Sequence, residues 1–313
     1  MNRAPISLLV FSVVVLVFLP TILPSYYVGL VVRMLIFAIF AMSLDLLMGY
    51  TGLPSLGHAA FLGVAAYAVG IFSLRVMNNL IISLALGLGV ALITAAVFGV
   101  LVLRARGSQF LMLTLALSQV LWGIAFNWKS FTGGDDGLPR IPRPQLGMFL
   151  DLSGAINFYY FTLMFFAVAV VTMYLIVNSP FGMSLEGIRE SETRMRALGY
   201  NVWLHQYLAY LISGAFAGLA GVLFAFFDGF VSPSDLHIVT SAKVILMVVL
   251  GGAGTLFGPV LGAVMIVALE NLVSAYTQRW LTILGVIYVL VVLFAPGGLY
   301  GPIRRSLRKW GIQ

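Results

Sequence analysis

Long apolar runs free of charge follow one another along most of this chain, and nothing constrains its fold more. The stretch Leu80–Leu103 reads LIISLALGLGVALITAAVFGVLVL, without one ionisable side chain. Runs near the ~20 residues that a bilayer requires fall at 7–24, 28–48, 57–74, 80–103, 108–126, 157–178, 205–228, 241–254, 256–276 and 281–296. In lipid each backbone N–H and C=O must find its partner within the segment, so such runs become helices. The expected fold is an all-α polytopic membrane protein with about ten transmembrane helices, in the range of eight to ten. The eighth run is short and only "GGAGT" parts it from the ninth. It reads as a half-helix or one arm of a re-entrant hairpin.

Composition removes other classes. The chain is 61% hydrophobic and 9% charged, whereas soluble domains are about half apolar and a quarter charged. The net charge of +7 does not call for nucleic acid, because the basic residues sit where membrane topology would put them. There is no cysteine, so no disulfide framework and no thiolate metal site or nucleophile is expected. His58, His205 and His237 lie far apart, and no metal site or catalytic cluster is read. The opening run after Arg3 lacks a clear small-x-small cleavage site and reads as an uncleaved first helix.

Lys and Arg set the orientation. With both termini in the cytoplasm, ten of the 17 basic residues fall inside: Arg3, Arg104, Arg106, Arg189, Arg194, Arg196, Arg304, Arg305, Arg308 and Lys309. The loop at 127–156 then lies outside and the segment at 179–201 inside. Arg33 and Asp45, near opposite ends of the second run, read as side chains that snorkel to an interface, as do Glu270 and Asn271.

Ser179–Asn201, SPFGMSLEGIRESETRMRALGYN, carries six charges. Buried in lipid they would cost roughly 15–20 kcal/mol on the insertion scale, so the segment lies in water. Pro180 and Gly182 end the preceding span and Ser184 is placed to cap a new helix. Leu185, Ile188, Met195 and Leu198 share one helical face, and Gly199 closes it. The result is an amphipathic helix or helix pair. Its stripe packs on the chain's own cytoplasmic face or enters a groove of another protein.

Two Gly-rich breaks, Gly49–Gly63 and Gly251–Gly262, read either as counterparts in an internal repeat or as packing glycines. Thr51, Ser55 and His58 lie in the first; Thr114, Ser118 and Gln119 share a face of the fifth run. Both sets fit a translocation path or interhelical hydrogen bonds. Thr132, Gly133, Gly134, Asp135 and Asp136 make an acidic turn in the outer loop.

The motif EGIRESETRMRALGYNV resembles the cytoplasmic loop of branched-chain amino acid ABC transporter permeases of the LivM type, whose pattern is A-I-R-E-N-E followed by A-L-G-I-N. Ser191 stands for the usual Asn and Tyr200 for the usual Ile, and the literal E-A-A of the wider importer loop is missing. Asp45–Tyr67, Phe110–Gln119, Phe131–Leu138, Val244–Ala263 and the ending LFAPGGLYG also resemble family blocks, in order along nearly the whole chain. The resemblance implies a single permease domain over 1–313 in a bacterial inner membrane, with a coupling loop at 179–204 and a periplasmic loop at 127–156. It implies a heterodimer with a LivH-type permease, two cytoplasmic ATPase subunits that bind ATP and Mg, and a periplasmic amino-acid-binding protein. Coupling would fall to Leu185, Ile188, Arg189, Glu190, Glu192, Met195, Ala197, Leu198 and Gly199. The turn Thr132–Asp136 reads as a contact for that binding protein or as a plain Asx-type turn. The chain carries no G-x-x-x-x-G-K-[ST] phosphate loop, so hydrolysis would belong to a partner and no cofactor to this chain. The cargo would be a branched-chain amino acid. Urea or a short-chain amide is the alternative. An ion-coupled carrier would want paired acids deep in the spans, and the acids here lie mostly near span ends.

Overall fold

The computed structural model describes residues 16–146, 150–152 and 154–276, together with 279, 282, 283, 285–287, 289, 293 and 298. Residues 16–22 are helical. Six helices are long and apolar enough to cross a membrane. They are α1 (Ser25–Asp45, prolonged by a π-helical turn, Leu46–Tyr50), α2 (His58–Arg75), α3 (Leu80–Val102), α4 (Ser108–Asn127), α5 (Ala155–Val177) and α8 (Val202–Asp228). Between α5 and α8 stand two short polar helices, α6 (Pro180–Glu190) and α7 (Glu192–Ala197). The described chain ends in a pair of shorter apolar helices, α9 (Ile238–Gly251) and α10 (Gly258–Ser274). The protein is an all-α polytopic membrane protein.

At 1.5 Å per residue α9 and α10 are about 21 and 26 Å long, short of the roughly 30 Å hydrocarbon core. Glycine brings them together. A Cβ on Gly262 would lie 1.8 Å from the Met247 carbonyl oxygen, and one on Gly251 1.9 Å from that of Gly258. The eighth and ninth runs therefore pack together as a short hairpin, one of the two forms their short link allows. Of the first expected span only 16–22 is helical within the described residues, and the tenth, 281–296, lies largely outside them.

Burial sorts the six long helices. In α1, α2 and α8, 78%, 67% and 72% of the apolar stretch is buried, against 28%, 22% and 28% in α3, α4 and α5. The first three form the centre and the others wrap it. Small residues set the spacing. Gly214 and Gly218 of α8 would put Cβ atoms 2.5 and 2.4 Å from the side chains of Ala95 and Ala91 of α3. Gly221 would strike the Leu62 carbonyl of α2 at 2.1 Å. This is the small-xxx-small contact of membrane helices, in which packing replaces the missing hydrophobic drive.

The loop after α4 is fastened to the loop after α8 and folds back on itself. Leu138–Pro139 pairs antiparallel with Phe230–Val231, and Gln145–Leu146 with Leu150–Asp151. Arg75, at the end of α2, donates to the carbonyls of Ser130 and Phe131 at 2.8 and 2.9 Å.

Candidate functional site

The charged segment folds as a helix pair, but its start differs from the expected one. Ser179, not Ser184, caps α6: its hydroxyl accepts from the Gly182 N–H at 3.3 Å, with Pro180 at the first helical position. A proline there loses no helical hydrogen bond. Ser184 is buried and donates to the Phe181 carbonyl. Ser191 is extended, ends α6 and caps α7 by accepting from the Arg194 N–H at 3.3 Å. Serine and asparagine are both good caps, so the family's Asn and this chain's Ser191 suit the same corner. Gly199, at φ +88°, ends the pair.

The apolar stripe faces inward. Leu185, Ile188 and Met195 are buried, the last two in a small cluster with Val202 of α8. These three are not open to a partner's groove, because the rest of the chain already covers them. Leu198, expected on the same stripe, is 67% exposed, and Met183 and Tyr200 are exposed too. Ala197 is exposed as well. Glu192 is an internal anchor: its carboxylate takes Arg106 at 3.4 Å, Arg196 at 3.3 Å and the Gln206 amide at 3.1 Å. Glu190 lines a crevice of about 230 Å³ between the pair and the end of α1.

Arg189 crosses that crevice. Its guanidinium donates to the Gly49 carbonyl in the π-helical turn, and its side chain packs on Gly52, at φ +73°. The π turn ends α1, and a carbonyl in the last turn of a helix has no partner within it and is open to an outside donor. Gly49 in turn lies on Gly254 of the hairpin turn, whose N–H donates to the buried Asp45 carboxylate at 2.8 Å. The two Gly-rich breaks, about 200 residues apart in sequence, therefore meet at one point beneath the charged segment. Asp45 does not snorkel; it holds the hairpin turn.

The residues read as path or glue are placed as follows. Thr51 is buried, bonded to the Leu47 carbonyl, and lines the Arg189 crevice. Ser55 accepts from the Gly57 N–H at 3.3 Å. His58 is buried, stacked on Phe40 and bonded to Ser43 at 2.8 Å. Thr114 accepts from the Leu56 N–H and Ser118 donates to the Leu236 carbonyl, each at 3.3 Å, which ties α4 to the first break and to the turn before α9. The Gln119 side-chain nitrogen is buried without a partner. In the loop after α4 Thr132 is buried, donating to the Ala125 and Trp128 carbonyls. Gly133 and Gly134 both have positive φ, and the turn presents Asp135 and Asp136 to solvent.

Sequence reading missed the pairing of charges. Arg33 meets Asp228 at 2.9 Å and Lys243 meets Glu270, while Asn271 bonds the Tyr26 hydroxyl. Each residue alone resembles a snorkelling side chain. Opposite signs at similar depth on helices that prove adjacent were the available signal. Among the described residues no three His, Cys, Asp or Glu side chains are grouped to hold a metal.

A multi-pass helical protein with a polar helix pair clasped to two broken helices belongs to the class of membrane permeases. The chain is a member of the family described as the permease component of branched-chain amino acid transport systems, whose profile matches residues 26–295. It is 30% identical over 306 residues to the high-affinity branched-chain amino acid transport system permease protein LivM of Salmonella typhimurium, covering 88% of this chain and 70% of that one. The probable LivM of Methanocaldococcus jannaschii is 25% identical over 315 residues, covering 84% and 90%. The autoinducer 2 import system permease protein LsrC of Salmonella typhi is 28% identical over 206 residues, covering 63% and 57%. No solved structure matches. Members of this family are permease subunits of ABC transport systems that have other components.

Proposed function

We propose that this chain is a permease subunit of an ATP-driven importer for branched-chain amino acids in a bacterial inner membrane, with both termini cytoplasmic. It pairs with a LivH-type permease, receives cargo from a periplasmic binding protein near Asp135 and Asp136, and is driven by two ATPase subunits that hold the ATP and Mg. The observation that carries the coupling role is the Arg189 bond to Gly49. A force applied by an ATPase to the exposed side chains of the helix pair, Met183 and Leu198 among them, has a direct route through Arg189 to the ends of α1 and the hairpin. The segment's buried stripe makes the helix pair rigid enough to transmit it. Likeness to an autoinducer 2 permease keeps a neutral polar cargo as the second reading, beside urea and short-chain amides.

The test is reconstitution of the complete complex in liposomes with candidate binding proteins. Leucine uptake that requires ATP is the expected result, with no uptake of urea. Uptake that persists when the ATPase subunits are left out would remove the ATP-driven reading; urea uptake without leucine uptake would change the cargo.

A further inference from the structure

A second cavity, of about 420 Å³, opens in the outer half of the molecule between α1, α8, α9 and α10. It falls within the 300–1,000 Å³ range of small-molecule pockets. Its wall carries five charged side chains: Arg33, Lys243, Asp228, Asp235 and Glu270. Ionisable residues gathered between the helices of a membrane protein are costly and are by default candidates for a functional site. Two cations against three acids leave one acid in excess. That acid is Asp235, which accepts from the Ser232 N–H at 2.8 Å and has no ion-pair partner among the described residues. Lys243 is the enclosed cation, paired with Glu270 and lying 4.6 Å over the Phe37 ring. Arg33 is the accessible one, with 41% of its side chain open. Phe37 and Phe224, edge to face at 6.2 Å, supply an apolar wall.

We infer that this cavity is a passing site for a free zwitterionic α-amino acid, with the carboxylate on Arg33, the ammonium on Asp235 and an apolar side chain against Phe37 and Phe224. The planar guanidinium suits a carboxylate in a two-point contact, and its exposed pair with Asp228 is weak enough to be exchanged. The unpaired acid supplies the counter-charge the ammonium needs. A neutral amide would leave both charges unanswered. The inference rests on the amino-acid reading above and adds where, in this chain, the cargo pauses.

The chain has no cysteine, so one introduced thiol reports cleanly. Thr240 lines the cavity. In the complete complex in liposomes, a Thr240→Cys chain is treated with a charged methanethiosulfonate, and its modification is followed by the mass of this chain. Saturating L-leucine, without binding protein, is expected to slow modification about fivefold or more, and urea not at all. Protection should disappear in Arg33→Gln and in Asp235→Asn; the latter leaves both ion pairs in place and guards against a folding defect. Leucine uptake by the same vesicles reads the proposed function separately. Uptake without protection would overturn the cavity assignment and leave the function standing. Equal protection by urea, or protection unchanged in both variants, would also overturn it. Absence of leucine uptake would count against the function itself.

Discussion

Arg189→Ala should leave an assembled complex that hydrolyses ATP and moves little cargo. The guanidinium ties the helix pair to the Gly49 carbonyl in the π-helical turn of α1. A hydrogen bond to a charged group contributes about 1.5–3 kcal/mol. The side chain is partly open to water, so the lower end applies. A bond made in one state of the cycle and not in the other biases their balance about tenfold per 1.4 kcal/mol, so cargo moved per ATP should fall severalfold, to about tenfold at most. The helix pair itself should survive, because Leu185, Ile188 and Met195 hold it to the bundle and Glu192 anchors it to Arg106 and Gln206. Arg189→Lys keeps the charge but not the planar fork, and should fall between. Uptake and phosphate release measured in the same vesicles check this. Equal loss of both would mean the segment had failed to assemble rather than to transmit.

Gly49→Ala should do greater harm to stability. Its Cβ would stand 2.2 Å from the Gly254 nitrogen, 2.7 Å from the Gly254 Cα and 2.2 Å from an Asp45 carboxylate oxygen. Backbone cannot rotate aside as a side-chain tip can. The turn of α1 must separate from the hairpin, which breaks the Asp45 bond to the Gly254 N–H. Overpacking costs about 1–3 kcal/mol, and a buried carboxylate left short of a donor adds about 1–3 more. Gly123→Ala, in α4 with nothing within 4 Å of the added carbon, is the matched control and should be close to neutral. Thermal unfolding of the purified complex in detergent should show the Gly49 variant well below both the control and the parent.

Helices were legible because lipid leaves an apolar run no other choice; α3, with its uninterrupted LIISLALG opening, needed nothing more. The stripe Leu185, Ile188 and Met195 was legible too, but periodicity shows which face is apolar and not what covers it. Here the chain covers its own stripe, while Met183, Leu198 and Tyr200 are left exposed. Both Gly-rich breaks could be seen in sequence. Their meeting at Gly49 and Gly254 could not, since it depends on how α1 and the hairpin pack. The π turn at Leu46–Tyr50 has no compositional mark. The charged cavity was hidden for a similar reason: Arg33 and Asp228 are 195 residues apart, and only the packing of α1 on α8 joins them.

The docking of the charged segment on an ATPase is tested most directly by contact. A benzophenone carried on Leu198→Cys, 67% exposed at the end of α7, is placed to reach whatever covers that face, while one on Tyr276→Cys, 91% exposed beyond α10, serves as the far-side control. Irradiation of the complete complex should join the first to an ATPase subunit and leave the second free of it. A Leu198 probe that labels only lipid or permease, or an ATPase captured from position 276, would contradict the cytoplasmic docking on which the proposed function rests.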